Sequence, residues 1–274
     1  MNSGATSKFS FRAALLSLPL SLLIGLPYSA AAHGTASATA SDFSATDLTI
    51  FSADGKQLIG HAQYTIRPSD DTELLRGESK YFDGEYDIEV ERLKPGESGQ
   101  APVLISYEQS FFNADQSPQR VSSLDVESGT ASCKTYVEGR LEDRRSNLTV
   151  PADTYAGATQ ILLVVIRLRQ GADHIEFHSF NCIPGPKIIA TEASMGIDRV
   201  KWSMYPGELV KLEIQPDFGW LGLLVAPFIQ KMYAWFDPSD NWNYVGGLYD
   251  RFYEGPHILT VRAPRAVVPK DKLP

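Results

Sequence analysis

The sharpest chemical pattern in the chain is His174-Ile-Glu-Phe-His178. On a β-strand, alternation places His174, Glu176 and His178 on one face and Ile175 and Phe177 on the other. Two imidazoles and a carboxylate can supply three protein ligands of a catalytic metal, with a fourth position left for water. Alternate residues lie about 7 Å apart along a strand, so one ion reaches all three only if the strand bends. The competing reading is a solvated polar face opposite a buried Ile-Phe face.

Paired acids are the second candidate chemistry: Asp83, Glu85, Asp87 and Glu89 in one run, or Asp217 with Asp237. Glycoside hydrolysis needs two carboxylates facing one another at about 5–10 Å. Acids that alternate along a strand more commonly form its wet face, and that is the reading adopted for the first run. The sequence has no Gly-x-Ser-x-Gly elbow before a helix, no phosphate-binding glycine loop and no dinucleotide fingerprint. No catalytic residue and no cofactor are therefore assigned.

The third pattern is aromatic. Trp220, Phe228, Tyr233, Trp235, Phe236, Trp242, Tyr244, Tyr249, Phe252 and Tyr253 crowd the C-terminal third. They fill the core of a curved sheet, or some of them, Trp220, Phe228, Tyr233, Trp235, Trp242 and Tyr244, line the mouth of an apolar cavity. The apolar segment from Gly219 to Phe228, broken by Gly222 and Pro227, is either a buried crossing or an exposed lip of such a cavity.

These residues must be positioned by strands. Leu48 to Ser52 and Lys56 to Ile66 flank Asp54-Gly55, a hairpin signature. Gly84 to Arg92 sets Tyr86, Ile88 and Val90 against charged neighbours, which predicts an apolar inner face and a polar outer one. Further strands are expected at 102–107, 120–127, 132–141, 174–182, 187–194, 200–205 and 208–215. Residues 151–171 break the rhythm. Asp153 or Thr154 as a cap, Arg167 and Arg169 near the end and Gly171 beyond it predict a helix packed on the sheet, against the β-branched preference of Ile161 to Ile166. The fold class expected is mainly β: a curved antiparallel sheet, or half-barrel, with one packed helix and a C-terminal aromatic-rich apolar segment.

Val150-Pro-Ala-Asp-Thr-Tyr before the apolar helix and its Arg-x-Arg, with Trp235-Phe-Asp-Pro and Tyr244-Val-Gly-Gly further on, resembles an uncharacterised family of Gram-negative periplasmic proteins. Its members look like the half-barrel over a helix that periplasmic lipoprotein carriers also use. The resemblance spans residues 45–262 and implies that fold; it transfers no functional residue.

The N-terminus supplies an address. Lys8 and Arg12, then an apolar run from Ala13 to Leu26, then Ala30-Ala-Ala32 before His33, read as an export signal cleaved after Ala32. The apolar run is too short to span a hydrocarbon core of about 30 Å, so no transmembrane segment is expected after cleavage. Residues 33–44 read as a flexible leader, 45–262 as one β-rich domain and 263–274 as a frayed tail. The full chain has a formal charge of −8, and loss of Lys8 and Arg12 leaves 23 basic against 33 acidic residues, or −10. That sign argues against nucleic acid as a partner. Cys133 and Cys182, the only cysteines, are expected to form a disulfide in an oxidising compartment.

Taken together, the residues predict a periplasmic or secreted, non-enzymatic protein that binds a lipid or another amphipathic ligand in the concavity of its sheet. The alternatives are a metal-dependent envelope hydrolase or lyase built on His174, Glu176 and His178, and a structural or assembly protein of the envelope. Ligand identity and oligomeric state are not encoded in any motif.

Overall fold

A computed structural model describes residues 46–97, 99–137, 139–201, 205, 207–217, 231–251 and 255–262. The expected signal, leader and tail lie outside the described residues, as do Trp220, Phe228, Phe252, Tyr253 and the segment from Gly219 to Phe228. Along the chain run β1 (Thr46–Ser52), β2 (Leu58–Ser69), β3 (Thr72–Tyr81), β4 (Tyr86–Lys94), β5 (Val103–Phe112), β6 (Pro118–Asp125), β7 (Thr130–Val137) and β8 (Arg140–Asn147). After these come β9 (Thr154–Tyr155), helix α1 (Gly157–Arg169), β10 (His174–Asn181), β11 (Lys187–Lys201), β12 (Glu208–Pro216), β13 (Met232–Asp237), β14 (Asn243–Asp250) and β15 (His257–Arg262).

All the strands belong to one sheet, in the order β8-β7-β6-β5-β4-β3-β2-β1-β15-β14-β13-β12-β11-β10-β9. Every ladder is antiparallel except the short β9·β10 pair. Sequence neighbours are therefore spatial neighbours, apart from β8 and β9 at the two ends of the order, and β1 pairs with β15 at a seam where Leu48 lies opposite Arg262. The expected curved, open antiparallel sheet over one helix is what the chain forms. Residues 72–81 and 140–147 add strands that the sequence pattern did not separate. Residues 187–201 form one long strand, with a register shift between Met195 and Arg199 where a break was expected.

One covalent bond pins the two arms of the curl together. Cys133 in β7 is joined to Cys182, just past β10, with Cα atoms 5.6 Å apart. Twelve steps of strand order separate β7 from β10, a distance of about 58 Å in a flat sheet at roughly 4.8 Å per strand. The two arms must bend round until they meet, while β8 and β9 end the order without pairing to each other.

Helix α1 occupies the inside of the curl. Thr159, Leu162, Leu163, Val164, Val165, Ile166 and Leu168 are buried, and a helix apolar nearly all round is an interior helix. Leu163, Val164, Val165 and Leu168 join a cluster with β1, β2 and β10 to β14. Leu162 and Ile166 join a second cluster with β3, β5, β6 and the disulfide. A β-branched residue costs a helix a few tenths of a kcal/mol, whereas full burial of such a side chain is worth about 1.5–3 kcal/mol, so burial decides. Arg167 and Arg169 lie in the last turn, and Gly171 follows at φ +86°, as expected of the C-terminal cap. The N-terminus differs from expectation. Thr154 is in β9, Asp153 accepts from His178, and the position before the helix is Ala156, which has no side-chain cap to offer.

Replacing Cys133 by Ala should lower Tm and leave the fold intact, because the ring it opens spans 49 residues and such a closure is worth at most about 4 kcal/mol. Thiol labelling of the denatured protein, isolated from an oxidising environment, is the direct check: two reactive thiols without prior reduction would rule the bond out.

Candidate functional site

Strand β4 is turned the opposite way from the sequence expectation. Asp87, Glu89 and Glu91 point into the curl and are 4%, 3% and 0% exposed, with Leu93 continuing the row. Tyr86, Ile88 and Val90, expected inside, are only half-buried. The acids are thus not a wet face but a buried ladder of three carboxyl groups.

The buried start of α1 explains the inversion. The first turn of a helix leaves backbone N–H groups without intrahelical acceptors, and inside a protein these must be satisfied. Ala158 N–H donates to Glu89 Oε1 at 2.7 Å, and Thr159 N–H donates to Glu91 Oε1 at 3.2 Å. The Thr159 hydroxyl donates to the Ala156 carbonyl at 2.6 Å. Two side chains nearly 70 residues away therefore cap the helix, and carboxyl groups suit its positive end. Gly157 makes the approach possible. Its φ is +46°, and a Cβ there would lie 2.4 Å from Glu89 Oε1.

Protonation in the ladder is displaced from the ordinary. Burial, then the neighbouring Glu89, pushes Asp87 up to about 7, against hydrogen bonds from Ser79 and Gln109 that favour the anion. Burial and Glu89 likewise hold Glu91 well above the usual carboxylate range. Three tyrosines gather round the acids. Tyr64 of β2 lies against Gly77, whose missing side chain leaves room for the ring. Its hydroxyl is raised by burial and by Glu89. Tyr249 of β14 is raised by burial and by Tyr244, and Tyr81 of β3 by burial and by Asp87. At the outer end Arg251 donates to both Asp83 oxygens at 2.7 and 2.9 Å and to Glu85 Oε2 at 2.8 Å, and lies over the Tyr81 ring at 3.7 Å. A hollow of about 290 Å³ opens beside it between Lys80, Tyr81, Glu85, Tyr86, Ala114 and Gln116. The arrangement can hold a proton near neutral pH and accept hydrogen bonds from a polar donor.

The other predicted residues are dispersed. On β10 the alternation is as read: His174 and Glu176 are exposed, and Ile175 and Phe177 are buried. His174 Nε2 meets Glu176 Oε1 at 3.3 Å, while His178 turns to Asp153 at 2.8 Å. No group of three or more His, Cys, Asp or Glu side chains among the described residues is placed to hold a metal ion. Asp237 serves structure: it accepts from Ser239 N–H and from the Tyr205 hydroxyl, which outweigh burial and hold its carboxyl below the usual range. Asp217 lies just beyond β12, where its N–H donates to Ala190 O.

The described aromatic candidates fall on both faces of the sheet. Tyr244 and Trp242 belong with the inner cluster, the Tyr244 ring 5.8 Å from Phe236 and its hydroxyl 3.1 Å from Thr260 Oγ1. Trp235 and Tyr233 pack instead with Leu209, Val245 and Leu248 in a small cluster that includes no residue of α1. Sequence reasoning missed the ladder because it assumed that apolar residues mark the inside. One signal was available: Leu93 shares its strand parity with the acids rather than with Ile88 and Val90.

No family model matches the chain, and no curated protein matches it. Among solved structures the chain is similar to the crystal structure of a beta-barrel-like protein of a domain of unknown function, DUF1849, from Brucella abortus. The two share 10% identity over 80% of this chain and 94% of that one, with a TM-score of 0.42.

Two outcomes follow from the ladder. An acid whose pKa rises on folding binds its proton more tightly in the folded chain, so it stabilises the fold at low pH and that stability drains away as pH climbs towards the folded value. For Asp87 the window runs from about 4 to about 7, so the urea midpoint should be higher at pH 5 than at pH 8. Asp87→Asn should flatten this slope and raise the midpoint at pH 8; an unchanged slope would show that the ladder does not titrate as described. Gly157→Ala should destabilise the fold by at least about 1–2 kcal/mol, from the left-handed backbone alone, in the same urea titration.

Proposed function

We propose that this chain is an exported, non-catalytic binding protein of the cell envelope that holds an amphipathic ligand inside the curl of its sheet. The observation that carries the reading is that Tyr64 and Tyr249 lie beside the buried acids and are themselves only partly buried. Partial exposure on the inner face supports a space beside α1 that a ligand would fill. Ala62 and Ile66 flank Tyr64 on the same strand and pack with the two clusters. Such a space would have an apolar side and a side of carboxyl and phenol groups, the polarity that suits a lipid-like molecule bearing a hydrogen-bond donor. On this reading Trp242 and Tyr244, which pack with the inner cluster, would line it, whereas Tyr233 and Trp235 pack with a separate cluster. The export pattern at residues 1–32 and the Cys133–Cys182 bond both suit an oxidising compartment.

Native mass spectrometry of protein purified from the periplasm, followed by solvent extraction, tests the reading. A bound amphipathic molecule is expected, and Tyr64→Phe and Glu89→Gln should each reduce its occupancy, since both keep the fold and remove one polar contact. A naphthylamine probe should compete for the same space in fluorescence titrations. Protein that carries no small molecule and takes up no probe would overturn the proposal.

A further inference from the structure

Strand β8 lies at one end of the sheet order, and no element among the described residues pairs with its outer edge. None of its side chains is buried, and Leu141 is 51% exposed. Side-chain burial therefore does not hold β8 in place; its ladder with β7 does. An unpaired edge with a full set of backbone donors and acceptors is a template for another strand.

The ladder fixes which groups are free. Val137 pairs with Arg140 across a two-residue connection, so Arg140, Glu142, Arg144 and Ser146 direct their N–H and C=O groups to β7. The Leu148 N–H bond to the Gly129 carbonyl, 2.8 Å, continues the same phase. Leu141, Asp143, Arg145 and Asn147 accordingly offer theirs outward. Those four side chains also share one face, since Arg144 stands opposite Cys133 and so belongs to the inner one.

We propose that β8 is a self-association edge, at which two copies of this chain pair β8 to β8 antiparallel about a two-fold axis at Arg144. A two-fold axis perpendicular to the sheet keeps inner faces with inner faces, so only residues of equal parity meet across it. With the axis at Arg144, Asp143 stands opposite Arg145 of the second copy, and the reciprocal pair forms on the other side. Within each chain Asp143 already binds Arg145, at 2.7 Å, so the four charges close into an alternating ring. The outward backbone groups of Asp143 and Arg145 fall at the hydrogen-bonded pairs of the new ladder. Leu141 then meets Asn147, and Glu142 meets Ser146. The two Arg144 side chains are directly opposed, but each is long and donates to the Pro184 carbonyl of its own chain, which draws it off the axis. Shifting the axis to Asp143 would instead set two short carboxylates face to face, a destabilising pair. Charges that repel an arbitrary strand thus select this one.

One edge-to-edge ladder buries less than the roughly 1,200 Å² of a standard interface, so the dimer is a weak one. Sedimentation equilibrium of the exported chain, loaded from about 10 µM to about 1 mM, should show monomer giving way to dimer. Asp143→Arg places like charges opposite at both pairs and should weaken dimerisation roughly tenfold or more. The exchanged double variant, D143R with R145D, should restore it. Asp143→Pro removes an outward N–H without touching the β7 ladder and should abolish association. These residues are exposed, and unchanged Tm in each variant verifies the fold. A monomer at every loading, or a dimer indifferent to Asp143→Arg and Asp143→Pro, would overturn the assignment.

Discussion

The start of helix α1 is the constraint on which the interior rests. A helix buried inside a curled sheet cannot leave its first N–H groups to water, and Ala156 contributes no side chain to satisfy them. Glu89 and Glu91 reach across from β4 to do so. Their placement forces the parity of β4, brings Asp87 inside with them, and obliges Gly157 to be without a side chain. Burying carboxyl groups is costly unless they are neutral or hydrogen-bonded. The ladder meets that cost both ways: through the helix N–H groups and through burial that raises Asp87 and Glu91 and so favours their neutral forms.

The disulfide acts at a different level. The glutamate cap ties α1 to β4, whereas Cys133–Cys182 ties β7 to the end of β10 and so sets how far the arms close. Between these two links the helix is packed from both sides, each side by its own apolar cluster. The sheet needs no closing ladder, and β8 and β9 remain its two ends.

Much of the fold was legible because its rules are local. The Asp54-Gly55 hairpin, the strand at 174–181, the cysteine pairing and the helix C-terminus at Gly171 each follow from turn chemistry, alternation or counting. What escaped the sequence was set by distant partners. Strand β3 faces inward with Leu75, Gly77, Ser79 and Tyr81, a row too mixed to show an apolar period, because it lies beside the acid ladder. The polarity of β4 was misread for the same reason: alternation reveals that two faces differ, but not which one is buried. The aromatic group divided between two faces because alternation turns Tyr233 and Trp235 away from Phe236, while the register shift at Trp235/Phe236 re-phases β14 so that Tyr244 and Tyr249 share the inner face, and no local motif announces that shift.

The seam between β1 and β15 bears on how such a sheet is assembled. Every other antiparallel ladder joins strands adjacent in the chain, apart from the intervening helix and loops, and can zip up from a hairpin. The seam joins residues more than two hundred positions apart, Leu48 with Arg262. Loop-closure entropy grows only logarithmically with such a span, but contacts of this range form late in folding. Both margins of the seam are therefore raw edges until the C-terminal strand arrives. A chain delivered N-terminus first must wait with β1 half-paired in the middle of its own sheet, open to any strand that meets it before β15 does.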